Sequence, residues 1–267
     1  MRFLLPIGLM FALAYLAHGE AGVLAGLVVL ASVLMVGAMS LPRLNSGYSP
    51  LETVNPPLWE KIQELTKKLG LRNVKVYVLD AYIPNAYSFR RNVVLSLGLF
   101  EVLDEDEIVA IAAHEIGHIK NRDTVLFPLL AYLRIFSFIM PFAILALSGS
   151  LVLFMLSLSL YLWYELERSS CLKGREFKAD DVAVRILNVP FSLKRALEEL
   201  KYYEDLMSQV RKHALPGIEP AMERKPPERT YWTPSFLFLP THPPYDDRIF
   251  RIVSLIEANE TRRKRSN

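Results

Sequence analysis

Ala112-Ala113-His114-Glu115-Ile116-Gly117-His118-Ile119 is the stretch on which the reading of this chain turns. It holds H-E-x-x-H inside a helical pattern. His114 and His118 are four apart, so on an α-helix they stand one turn from each other on one face. Two imidazoles so placed can bind one metal ion. Glu115 is rotated by about 100° from His114, near enough to reach a water beside that ion without ligating it. This is the pattern of helical zinc hydrolases, in which the glutamate is the general base. The plainer alternative is a polar helix face carrying two ordinary histidines. Against it, Ala110, Ile111, Ala112, Ala113, Ile116 and Ile119 make the helix apolar nearly all round, so burial is expected. Two buried His and a buried Glu are costly unless partnered, and one cation would partner all three.

Working outward, the helix has a clear start. Asp104 suits the N-cap, and Glu107 three residues on completes a capping-box pattern. Asp104, Glu105, Asp106 and Glu107 place negative charge at the positive end of the helix dipole. The helix is expected over about 105–121. Upstream, 74–79, 86–89 and 93–97 are β-like, so a small sheet precedes it. Residues 58–69 read as an amphipathic helix with Leu58, Ile62, Leu65 and Leu69 on one side and Gly70 as its C-cap. Residues 41–57 read as a polar, Pro-containing linker.

Two apolar runs, 3–17 and 21–39, open the chain on either side of His18-Gly19-Glu20. The second is long enough to span a bilayer core, and the first can be extended by a snorkelling Arg2. A signal peptide is the alternative for the first. Downstream, 126–164 carries one charge, Arg134. One straight helix over it would be roughly 58 Å long against a core of ~30 Å. Ser148-Gly149-Ser150 is a turn signal, so a transmembrane hairpin of 126–147 and 151–164 is expected. A buried hairpin in a soluble core is the alternative, because Arg134 and Pro141 interrupt the first arm. Neither short loop, 18–20 nor 148–150, contains Lys or Arg. Arg2, Arg43, Lys173 and Arg175 lie at the opposite ends, so the positive-inside rule puts both termini and the bulk of the chain in the cytoplasm.

Past the hairpin, Gly174-Arg175-Glu176-Phe177-Lys178-Ala179-Asp180-Asp181 is expected to open a further helix. Glu176 and Asp180 share a face. A two-His zinc site needs a third protein ligand and one position left for water. Glu176 is the candidate, and Asp180 would then accept the free N–H of a zinc-bound histidine. A solvated acidic face is the alternative. Residues 191–212 read as an amphipathic helix and 214–240 as Pro-rich, irregular and locally basic. Thr241-His242-Pro243-Pro244 leads into a final helix. His242, stiffened by the prolines, is either a surface histidine or a hydrogen-bond donor aimed at the metal site.

Composition sets the outer limits. The chain of 267 residues is 52% hydrophobic with mean hydropathy +0.22, which points to membrane segments. A single cysteine, Cys171, excludes an internal disulfide. A net charge of +3 is too small to imply nucleic acid. The basic run 262–265 suits a solvated end or a contact with anionic lipid headgroups.

Asn85-Ala86, Gly98-Leu99, His114-Glu115-Ile116-Gly117-His118, Glu176-Phe177-Lys178-Ala179-Asp180, Thr241-His242-Pro243 and Arg248-Ile249 together resemble a family of membrane-embedded zinc peptidases. That family includes the HtpX heat-shock protease and the CAAX prenyl endopeptidase, and the short chain is similar to the HtpX type. The resemblance implies one Zn2+ per chain at His114, His118 and Glu176, with Glu115 catalytic. It also implies a substrate-receiving edge strand near Asn85 and Ala86, and a transition-state role for His242. The Pro-rich segment before Thr241 departs from the pattern.

The fold expected is a mainly α integral membrane protein with a small β-sheet. A zincin-like (gluzincin) catalytic domain is built around the H-E-x-x-H helix, with about four transmembrane helices. Two transmembrane helices occupy 1–40, a first catalytic part 41–125, the transmembrane hairpin 126–164 and a second catalytic part 165–267. The function expected is a zinc endopeptidase of the cell membrane, multi-pass, with active site and termini cytoplasmic, degrading misfolded or surplus membrane proteins. Its partners would be a peptide or membrane-protein substrate and membrane lipid, with no nucleic acid. The alternatives are a processing protease for lipidated or CAAX-like C-terminal motifs, and a non-catalytic zinc-binding membrane scaffold. The scaffold would need a fourth protein ligand to close the site.

Overall fold

The computed structural model describes residues 2–39, 44, 47–213 and 243–266; the stretch 214–240, Thr241 and His242 lie outside the described residues. The described residues form two compact units. One contains residues 2–39 and 125–174, the other residues 44, 47–124, 175–213 and 243–266.

In chain order the elements are α1 (Leu4–Met39), β1 (Tyr48–Pro50), α2 (Leu51–Val54), α3 (Pro56–Lys68), β2 (Lys75–Leu79), β3 (Ala86–Phe89), β4 (Asn92–Ser96), α4 (Leu97–Val102), α5 (Glu105–Lys120), α6 (Asp123–Ser148), α7 (Leu151–Ile186), α8 (Phe191–His213) and α9 (Tyr245–Ser266).

In the first unit, α1 is broken at His18 and Gly19, the latter at φ 56, so the two apolar runs are separate helical arms. The arms come close where residues are small: a Cβ on Gly22 would stand 1.9 Å from the carbonyl oxygen of Ala14. α6 and α7 meet at Ser148-Gly149-Ser150, with Gly149 at φ 61, a backbone conformation that glycine adopts without cost. The core of this unit is Met10, Ala14, Leu130, Phe136, Met140, Ile144, Tyr161 and Tyr164. Its buried charges are paired: Glu165 accepts two bonds from Arg168, at 3.1 and 2.8 Å, and lies 3.0 Å from Arg134. α1 and α6 are long and apolar enough to cross a membrane. Only 17% and 39% of their most apolar stretches are buried.

The second unit is a four-stranded sheet with helices packed on it. The strand order is β1-β2-β4-β3, with β2 and β4 parallel and the other neighbours antiparallel. β4 is central, and Val93, Val94, Leu95 and Ser96 are all buried. β3 is at the edge, joined to β4 by a tight turn with Arg90 at φ 53. The loop before β3 is clamped: Ser96 Oγ donates to Ile83 O and accepts from Asn85 N, each at 2.8 Å. Gly98 allows that close approach, because a Cβ there would lie 2.2 Å from Tyr82 O.

α5 starts in the full capping box, with Glu107 N donating to Asp104 Oδ1 at 2.8 Å and Asp104 N donating to Glu107 Oε2 at 3.0 Å. Ile108, Ala110 to Ala113, Ile116 and Ile119 are buried, so the helix is covered nearly all round. α3 and α8 pack against it on the helical side, and β3 on the sheet side. α7 crosses it at Gly117, where a Cβ would stand 2.9 Å from Ala179 O.

Four expectations need correction. The 41–57 linker contains β1 and α2, and α3 already begins at Pro56. β1 is three residues ending in Pro, and its partner is thirty residues of chain away (Tyr48 opposite Leu79), so no local pattern marks it. Leu69 is the C-cap of α3, and Gly70, at φ 65, is the residue after it. Finally, 174–187 is not a new helix. α7 runs unbroken through Gly174, because one glycine costs only about 1 kcal/mol in a helix interior, too little to break so long an element.

The crossing at Gly117 is testable. Gly117→Ala should force α5 and α7 apart and destabilise the fold by about 1–3 kcal/mol, as overpacking does. The expected result is a lowered thermal midpoint of the detergent-solubilised protein, with reduced zinc content.

Candidate metal centre

Every described residue of the site belongs to the second unit. α5 presents His114 and His118 from successive turns, and α7 presents Glu176 and Asp180 across the Gly117 contact. All four side chains are buried. His114 Nε2 and His118 Nε2 are 3.1 Å apart, and each lies 3.6 Å from a Glu176 oxygen.

The tautomers follow from the outer contacts. His114 Nδ1 is 2.8 Å from Asp180 Oδ1, and His118 Nδ1 is 2.9 Å from Asp123 Oδ2. An ionised carboxylate only accepts, so each Nδ1 carries the proton and donates it. Each Nε2 is thereby turned toward the centre, where its lone pair can take a proton or a metal ion. Arg248 Nη2 also lies 3.2 Å from His114 Nδ1. A guanidinium only donates, so that approach is not a hydrogen bond, and Asp180 is the group that joins them. Arg248 grips Asp180 in a fork, Nε to Oδ2 at 2.9 Å and Nη2 to Oδ1 at 2.7 Å.

A metal ion suits this arrangement. Donors about 2.0–2.1 Å from a common tetrahedral centre stand about 3.3 Å apart, close to the 3.1 Å between the two Nε2 atoms and the 3.6 Å from each to one of the two Glu176 oxygens. His114, His118 and Glu176 are the group among the described residues that can hold a metal. Charge agrees with this. Four carboxylates (Glu115, Asp123, Glu176, Asp180) accompany two guanidiniums (Arg175, Arg248), a deficit that a divalent cation balances. The same field acts on a proton. Burial pulls the His114 imidazole down and Arg248 adds to that, but Asp180 and Glu176 outweigh both and hold it up at about 9. Burial pushes the Asp180 carboxyl up, yet His114 and Arg248 bring it down to about 2. A metal ion would take the place of the proton on His114.

Glu115 is buried on α5 and makes no hydrogen bond or ion pair among the described residues. Asn85 precedes the edge strand, and Ala86 opens it opposite Leu95. α5 packs directly on that strand. His242 lies outside the described residues. Sequence reasoning missed Asp123 as a partner of His118, and gave Arg248 no contact. The signal for Asp123 is faint, because five residues is not a same-face helical spacing. Arg248 lies far along the chain from the aspartate it grips.

Fold and site together define a metallopeptidase. The sequence profile of Peptidase family M48 matches residues 52–256, and the chain belongs to that family, whose members are zinc metalloproteases. Within it the chain is HtpX-like. It is 26% identical to the protease HtpX homolog of Sulfurihydrogenibium sp., over 93% of this chain and 92% of the relative. It is 30% identical to the protease HtpX homolog of Tropheryma whipplei, over 83% of this chain and 77% of the relative. The crystal structure of S. mikatae Ste24p is similar with a TM-score of 0.49 and 21% identity, over 92% of this chain and 61% of that one.

Removing a corner of the donor triangle should cost more than removing a support. Glu176→Ala should abolish stoichiometric zinc in the purified protein. Asp180→Ala should weaken zinc binding by about 10–100-fold, the usual effect of losing a carboxylate behind a ligand histidine. Metal analysis against a graded chelator separates the two.

Proposed function

We propose that this chain is an integral-membrane zinc endopeptidase, with its active site on the cytoplasmic side, that degrades misfolded or surplus membrane proteins. The observation that carries the reading is the buried triangle of His114, His118 and Glu176, next on α5 to Glu115, which makes no hydrogen bond or ion pair among the described residues. Zinc bound by the three ligands would supply Lewis acidity, making water a nucleophile at neutral pH and polarising the scissile carbonyl. Glu115 takes the proton of the attacking water and returns it to the leaving amine. No partner among the described residues occupies either carboxylate oxygen, which leaves both available for that work. His242 donates to the oxyanion. The outer side of β3, starting at Asn85 and Ala86, pairs with the backbone of an extended substrate.

The membrane part of the proposal has four spans: the two arms of α1, α6, and the apolar start of α7. The outward apolar surface of α1 and α6 supports it, since a soluble core would bury such helices. The loop charges favour cytoplasmic termini, and membrane lipid is then a permanent neighbour.

Glu115→Gln should keep zinc and lose peptidase activity by about 10²–10⁴-fold, the range of a lost general base. Near-normal turnover with zinc bound would overturn the mechanism, and a parent without activity on any peptide would favour the scaffold reading. Cleavage of a misfolded membrane protein and not of a lipidated peptide, assayed side by side, is the outcome expected for the substrate class.

Topology is checked separately. In a Cys171→Ser background, a cysteine at Ser148 should react with an impermeant thiol reagent added outside the cell. Cysteines at Asp104 or Lys173 should not. Protection of the Ser148 site in an active, membrane-bound protein would remove the four-span count.

A further inference from the structure

The two ligand histidines are backed by the same device built from different parts of the chain. Behind His114 stand Asp180 and then Arg248. Behind His118 stand Asp123, at 2.9 Å, and then Arg175, whose Nη1 lies 3.1 Å from Asp123 Oδ1. Asp123 is fully buried, and its Oδ1 has no hydrogen bond among the described residues, so the Arg175 guanidinium is its charge partner on that side. Arg175 also donates to the backbone carbonyl of Asn121, at 3.2 Å. It thereby ties the end of α5 to α7 at the residue next to Glu176.

The backbone is bent to make this contact. Arg122 has φ 60, a left-handed conformation that is unfavourable for a residue with a Cβ. Asn121 N and Arg122 N bond back to Gly117 O and Ile119 O, closing the end of α5. The reversal at Arg122 swings Asp123 back under His118, a reach that a continuing helix would not give. Strain at that residue is sustained by the contacts it permits.

The geometry points to Asp123, held by Arg175, as a positioning residue for the metal. It fixes the proton on His118 Nδ1, keeps the ring aimed with Nε2 at the His114–Glu176 edge, and strengthens that nitrogen as a donor. The inference rests on the reading of His114, His118 and Glu176 as a zinc site. Arg175 and Glu176 then act as a pair from adjacent positions of α7, one holding the support of a histidine ligand and the other completing the ligand set.

The test is a zinc competition titration with a chromophoric chelator on the full-length protein in detergent, with thermal midpoints of the metal-free forms alongside. Asp123→Asn, nearly isosteric, should weaken zinc binding by about 10–100-fold. Arg175→Met should weaken it in the same direction by less, and Arg175→Lys should recover most of that loss. In the Asp123→Asn background Arg175→Met should add little, because its target is gone. Asp104→Ala, which breaks the capping box at the other end of α5, should lower the thermal midpoint and leave zinc affinity at the parent value. Zinc affinity of Asp123→Asn equal to that of the parent would overturn the inference. If Asp123→Asn does not fold, equal affinities of Arg175→Met and parent would overturn it instead. A parent that binds no zinc would be a different failure, that of the site reading itself.

Discussion

Two imidazole Nε2 atoms face each other across 3.1 Å, with each Nδ1 proton already held by a carboxylate, so the space between them suits one small cation, a proton or a metal ion, and without it they repel. The Glu176 carboxylate, with one oxygen 3.6 Å from each nitrogen, adds to the repulsion. Away from water, where charges are weakly screened, a proton or a metal ion among them relieves it. The second unit is organised to impose this unfavourable geometry and keep it. Carboxylates on both Nδ1 atoms remove the escape of switching tautomers. Arginines behind those carboxylates remove the escape of swinging the carboxylates away.

The same constraint explains features that look unrelated. α5 is buried nearly all round because ligands held at ångström tolerance need packing on every side. Its capping box fixes where the helix starts, and therefore which residues share the face toward α7. Gly117 sits between the two histidines because the donor triangle closes only if α7 can touch the backbone of α5. Gly98 and Ser96 do the corresponding job on the other side, pressing the 81–85 loop into place so that the edge strand begins at a fixed point beside α5.

What the amino-acid sequence disclosed was local. The spacing of His114 and His118, the Asp104–Glu107 box and the β-like run 86–89 all lie within a turn or a strand, and the structure has them. Glu176 and Asp180 were reachable because zinc chemistry demands a third donor and a helix puts them on one face. The parts that escaped are set by distant partners. β1 exists because Leu79 pairs with Tyr48, and α7 is continuous because packing along its length outweighs one glycine. Asp123 reaches His118 only through a strained residue whose side chain, arginine, advertises nothing of the kind. Arg248 meets Asp180 only after the whole chain has folded.

The placement of Glu176 on α7 also has a consequence in time. A ribosome delivers His114 and His118 first, then the entire apolar stretch 126–164, and Glu176 only afterwards. Until that stretch has turned back on itself, the emerging chain owns two donors of three and half of its supporting carboxylates. A complete set of three donors therefore needs the apolar stretch to have turned back first, and Arg248, which braces Asp180, arrives later still. The order of residues along the chain thus keeps the donor set incomplete for as long as the apolar stretch is still being made.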